Sequence, residues 1–137
     1  MSGEQSSVVV DTSAIVSIYT REPDAESIAA KIIMTPYPVL PAPCLVEFCL
    51  LNKLGGDRIL WLQTFIPKYR ISVAPMPSEI AWLAAEAAMR FGRGSGHPAE
   101  LNFGDCMSYA FARHLGAPLL FKGDDFAHTD IPVALPR

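Results

Sequence analysis

Apolar residues along this chain fall in runs whose spacing switches between strand-like and helical, and the switches divide it into alternating elements. Val8, Val9 and Val10 are consecutive β-branched residues, the composition of a strand buried on both faces. Asp11 ends that run, Thr12 and Ser13 are able to cap a helix, and the helical reading runs from Ala14 to about Thr20. Pro23 opens a second helix, with Asp24 and Glu26 in its positive first turn and Lys31 near its negative end. The stretch from Pro36 to Pro43 holds a short extended segment around Val39. Pro43 then suits the first turn of a third helix that reaches about Leu54. Gly55 and Gly56 break the chain before a fourth helix, Asp57 to Ile66, with Pro67 after it. Ile71 to Val73 reads as a strand. Pro77 and Ser78 open a long Ala-rich helix, Glu79 to about Phe91, in which Trp82 and Met89 read as core.

The clearest segment is Asn102 to Phe126. Asn102 is an N-cap, and apolar residues return at helical intervals from Phe103 to Leu115. Gly116 is a stop in the left-handed cap position, with Pro118 two residues on. Leu119, Leu120 and Phe121 form a short apolar strand, and an acidic turn, Gly123-Asp124-Asp125, follows at once. Ile131 and Val133–Leu135 predict a last edge strand near Pro132. Residues Ser2 to Ser7 read as a frayed terminus. Strands alternating with helices predict an α/β fold with a mostly parallel sheet and helices on both sides.

Composition narrows the class. The chain has 137 residues, half of them apolar and 18% charged, which suits one globular domain and not a disordered chain. No apolar run is long enough to span a bilayer and no signal peptide is visible, so a cytoplasmic protein without membrane association is expected. Cys44, Cys49 and Cys106 read as buried small hydrophobes in a reducing compartment. With no Cys-x-x-Cys pair, and with His97, His114 and His128 isolated, a zinc site is not expected. A net charge of −3 argues against a protein that holds nucleic acid mainly by a basic surface. The loop Gly92–Gly96 with Arg90 and Arg93 lacks the Gly-Lys-Ser/Thr of a phosphate loop and reads as a solvated linker.

Carboxylates carry the chemistry. In open α/β sheets ligands bind beyond the carboxyl ends of the strands. Asp11 lies at such an end, as do Asp124 and Asp125, and Glu47 and Asp105 lie in early turns of helices that begin there. Glu47 is the only charge in Cys44–Leu51 and has apolar neighbours three and four positions away, so it needs a cation, a buried Arg or Lys partner, or a solvated cleft. Asp11 read alone is also an N-cap, and Gly-Asp-Asp read alone is turn chemistry. Converging carboxylates raise one another's pKa, and a hard divalent ion relieves this and attracts phosphate. The corresponding reaction is phosphodiester hydrolysis by metal-activated water.

Val8-Val-Val-Asp-Thr-Ser-Ala14, the Glu47 helix, Asn102-Phe-Gly-Asp105 and Phe121-Lys-Gly-Asp-Asp-Phe126 together resemble the motifs of PIN-domain ribonucleases, most of all VapC-type toxins. The resemblance spans nearly the whole chain, in the right order, as a single domain over residues 1–137. It implies a three-layer fold with a five-stranded parallel sheet and Mg²⁺- or Mn²⁺-dependent cleavage of RNA. It also implies a homodimer, and inhibition by a VapB-type antitoxin with an Arg-containing tail, in a heterotetramer or larger assembly. Asp11, Glu47 and Asp105 match the family's three main acids, and Thr12 and Ser13 match its small hydroxyl positions. For the fourth, many members carry Thr-x-Asp-x-Asp-Phe, and Gly123 stands where the first of those Asp falls. Toxins that carry Lys-Gly-x-Asp-Phe match Lys122, Gly123, Asp125 and Phe126, which favours Asp125 over Asp124. Competing expectations are a catalytically silent PIN-like module that docks a basic partner, and a related 5′ DNA nuclease. The chain leaves no room for the latter's helical additions.

Overall fold

The computed structural model describes residues 6–135. The chain runs β1 (Ser7–Val10), α1 (Thr12–Tyr19), α2 (Ala25–Met34), β2 (Tyr37–Pro41), α3 (Ala42–Leu50), α4 (Arg58–Lys68), β3 (Ser72–Ala74), α5 (Ser78–Phe91), α6 (Phe103–Leu115) and β4 (Leu119–Leu120). The four strands form one sheet in the order β3-β2-β1-β4, and every pairing is parallel. The order reverses beside β1: β2 lies on one side of it and β4 on the other. A doubly wound sheet opens its ligand crevice at that reversal, beyond the strand ends.

Alternation along β1 explains why all three valines are apolar. Val9 faces a core made with α5 and α6, which includes Ala84, Ala87, Phe91, Ala110 and Phe111. Val8 and Val10 face the opposite core, with Leu40 of β2 and with Ile15, Ile28, Phe48 and Leu62 from the other helices. Leu119 and Leu120 divide between the same two layers. Both faces of the sheet are covered, as a parallel sheet requires. No helix among the described residues is long and apolar enough to cross a membrane.

The α6 boundaries fall where the sequence puts them. Asn102 and Asp105 form a reciprocal capping box, and Gly116 closes the helix at φ 62°. Other expectations need correction. The fifth strand shrinks to a single parallel bridge between Leu119 and Val133, because Pro132 offers no N–H to extend a ladder. Phe121 lies outside β4, and Ser7 belongs to β1, whereas residues 2–5 of the expected frayed terminus lie outside the described residues. Asp11, not Thr12 or Ser13, caps α1. Asp24 stands at the N-cap position of α2 and not in its first turn. The third helix ends at Leu50, and a separate 3-10 turn covers Asn52–Leu54. Pro67 fits inside the last turn of α4.

The largest correction concerns α5. Trp82 and Met89 are exposed, at 72% and 83%. They share one flank of the helix. The opposite flank, Ile80, Ala84, Ala87 and Phe91, meets α6, and its small alanines permit that close approach.

Candidate active site

Asp11 sits where β1 turns into α1. Its backbone N–H donates to the Leu120 carbonyl at 2.9 Å, which fixes the strand end against β4. Asp11 is 4% exposed, and both of its carboxylate oxygens are engaged. Oδ2 accepts from the Ser13 N–H at 3.0 Å and from Ser13 Oγ at 2.6 Å, and Oδ1 accepts from Ser108 Oγ. The N-cap reading and the site reading therefore both hold. Burial pushes the Asp11 pKa up, the Ser108 and Ser13 hydrogen bonds pull against it, and the charge of Asp125 adds to the rise.

Below Asp11 the support continues. Cys44 Sγ lies 3.2 Å from Ser108 Oγ, and burial together with the Asp11 charge pushes the thiol up to about 12. The thiol stays protonated, so S–H donates to Ser108, whose own proton goes to Asp11. Ser13 is held from the far side: the Lys122 N–H donates to Ser13 Oγ at 2.9 Å. The Lys122 ammonium pairs with Glu22 at 2.9 Å and Asp24 at 3.2 Å, tying the turn after β4 to the turn between α1 and α2.

Glu47 projects from α3 and accepts from Thr12 Oγ1 at 2.5 Å. Partial burial raises its pKa, Thr12 counters this, and Asp11 adds repulsion. Its surroundings differ from the sequence reading. The flank beside it is apolar but open, with Val46 and Leu50 exposed, so Glu47 stands half-buried at an edge and not within a sealed core. Cys49 is likewise only half-buried, whereas Cys44 and Cys106 are buried.

Asp105 is 7% exposed. Its Oδ2 accepts from the Asn102 N–H at 3.1 Å, and its own N–H donates to Asn102 Oδ1 at 2.8 Å. Desolvation pushes its pKa up to about 7, the Asn102 hydrogen bond opposing and the charges of Asp11 and Asp125 adding. Asp125 follows β4 and lines the same cleft, whereas Asp124 does not.

These side chains meet in an open cleft of about 390 Å³ lined by Asp11, Thr12, Ser13, Glu47, Asn102, Asp105 and Asp125, with Lys53 and Lys122 at its rim. None of the three histidines lines it. Among the described residues none of the four acids forms an ion pair with Lys or Arg, so no described cation makes a buried pair with Glu47. A larger groove of about 610 Å³ between α5 and the start of α6 contains no acid. Carboxylate oxygens are the donors a hard divalent ion takes. Among the described residues no three Asp, Glu, His or Cys side chains stand as a ready-made metal-binding group. Thr12 engages one oxygen of Glu47, and the Asn102 N–H engages one oxygen of Asp105. The donor set therefore fits an ion that keeps several of its own waters.

The sequence reading missed Ser108 and Cys44 as supports of Asp11. One signal was available: Ser108 lies three residues after Asp105, one helical turn on, within an otherwise apolar run.

The sequence matches the PIN domain family over residues 8–132. The chain belongs to the PIN-domain family. Curated relatives include ribonuclease VapC42 of Mycobacterium tuberculosis, 43% identical over 126 residues that cover 90% of this chain and 96% of that protein. Ribonuclease VapC28 of the same organism is 41% identical over 132 residues, covering 95% and 99%. Among solved structures, this PIN domain superposes on M. tuberculosis VapC20, a sarcin–ricin loop cleaving toxin, with a TM-score of 0.74 at 18% identity over 95% of this chain and 99% of that one. A toxin–antitoxin complex from Klebsiella pneumoniae gives 0.66 at 14% identity, over 90% and 92%. The expected PIN fold is thus borne out, with four strands among the described residues in place of five.

Proposed function

We propose that this chain is a VapC-type toxin that cleaves RNA phosphodiester bonds with Mg²⁺ or Mn²⁺ held by Asp11, Glu47, Asp105 and Asp125. The carrying observation is the cleft itself: four carboxylates from separate segments, three of them with raised pKa, and no Lys or Arg pair among the described residues. The ribonucleases among its relatives supply the reaction class, and PIN-domain VapC ribonucleases are generally dependent on divalent metal. When bound, the ion supplies neutralising charge at the phosphate and acidifies water. The chain's own residues orient the acids: Ser13 and Ser108 fix Asp11, Thr12 fixes Glu47, and Asn102 fixes Asp105. EDTA should abolish cleavage of purified RNA, and Mg²⁺ or Mn²⁺ should restore it. Cleavage that survives exhaustive chelation rejects the metal, and no cleavage under any divalent metal returns the silent-module reading.

The proposal extends to partners. It includes a VapB-type antitoxin with an Arg-containing tail, a homodimer, and action in the cytoplasm. Guanidinium pairs carboxylates through two parallel hydrogen bonds, and an acidic cleft is its natural receptor. Exposed Val46, Leu50 and Phe103 beside the cleft offer apolar surface to a protein partner. Inhibition by an Arg-bearing antitoxin peptide is expected to weaken as Mg²⁺ or Mn²⁺ is raised. Inhibition that is unchanged when every Arg of the peptide is replaced rejects this mode.

A further inference from the structure

Gly104 lies in the first turn of α6, between exposed Phe103 and Asp105, and it is buried. A Cβ built there would stand 2.1 Å from Glu47 Oε2 and 2.5 Å from both Cδ and Oε1. Those distances lie far inside van der Waals contact, so the Glu47 carboxylate occupies the space any side chain at 104 would fill. The backbone conformation does not call for glycine, because Gly104 is absent from the positive-φ residues. Glycine is also among the poorest residues for a helical position. What it provides here is a missing side chain.

We propose that Gly104 is a positioning residue for Glu47. The carboxylate is held on one side by Thr12 Oγ1 at 2.5 Å and rests on the other against the bare Cα of α6. This contact brings the acid of α3 to the helix that carries Asp105. The inference rests on the proposed metal-holding role of Glu47 and adds the reason its carboxylate reaches the cleft. The three nearest atoms that the Gly104→Ala methyl would meet all belong to the flexible end of the Glu47 side chain, which is able to swing away. The protein therefore keeps its fold, while Glu47 leaves Thr12 and the other acids.

The test compares wild type, Gly104→Ala, Glu47→Gln and the double variant. Each is measured by thermal denaturation in EDTA, by Mn²⁺ titration calorimetry and by RNA cleavage. Gly104→Ala is expected to melt at the wild-type temperature or above it. Its Mn²⁺ affinity and its cleavage are expected to fall by about 10–100-fold, the usual range when a support of a metal ligand is removed. The double variant should be no worse than Glu47→Gln, because both substitutions remove one carboxylate from one place. A lowered melting temperature would make Gly104 a packing residue and overturn the proposal, as would unchanged affinity and cleavage. If wild type binds no Mn²⁺, or Glu47→Gln loses nothing, the functional reading falls as well. That outcome is distinct from a failure confined to Gly104.

Discussion

Asp105→Asn is expected to abolish cleavage while leaving the metal-free protein at least as stable at neutral pH. The substitution keeps the size of the side chain and an oxygen to accept from the Asn102 N–H, so the capping box survives. What it removes is a charge that the fold tolerates poorly. Asp105 has its pKa pushed from 3.8 up to about 7, chiefly by desolvation and then by Asp11 and Asp125. The sign follows directly. Between those two values the folded chain holds a proton that the unfolded chain has released, so this group's contribution to stability is complete below 3.8 and is lost as pH rises through 7. Melting curves in EDTA should therefore show wild type losing stability across that window and Asp105→Asn losing less. Cleavage should fall by more than about 100-fold, the size of a few kcal/mol of lost transition-state stabilisation. An Asp105 that served only as a helix-terminal acid would behave the other way, with activity kept and about 1 kcal/mol of stability gone.

The two acids after β4 should separate sharply. Asp125 lines the cleft, and its charge bears on both Asp11 and Asp105. Asp124 lies outside the cleft lining, and its carbonyl accepts from the Ala127 N–H at 3.0 Å in a turn. Asp125→Asn is expected to lower cleavage by about 10–100-fold. Asp124→Asn should change it by no more than about 2–3-fold, as at an exposed turn position. Activity assays with folding matched by circular dichroism decide between them. The opposite order moves the fourth acid to Asp124, and equal small effects make the turn structural.

Features set by neighbours in sequence were legible, and features set by distant contacts were not. The Asn102 cap, the Gly116 stop and the all-valine strand each depend on residues within one turn or one run. Glu47 stood out because a charge among apolar residues is anomalous wherever it lies. The pattern could not show that α5 turns its alanines inward and its Trp82 outward, because that choice belongs to α6. Ser108 and Asp11 are 97 residues apart, and Cys44 and Ser108 are 64 apart. No local spacing marks such pairs as partners. Gly104 was hidden for a different reason: in sequence a glycine beside a helix start looks like a weak helix former, and only the position of Glu47 gives it a purpose.

The strand order bears on how the protein is made. Of the four described strands β1 emerges first during synthesis, yet one of its two neighbours is β4, which emerges after the other three. A growing chain holds Asp11 and Glu47 long before it holds Asp105 and Asp125. At ordinary translation rates the 78 residues between Glu47 and Asp125 take roughly 4–16 s to add. Throughout that interval the sheet lacks an edge and the cleft lacks one wall. The four-carboxylate cleft is thus complete only once β4 and the turn after it have been added.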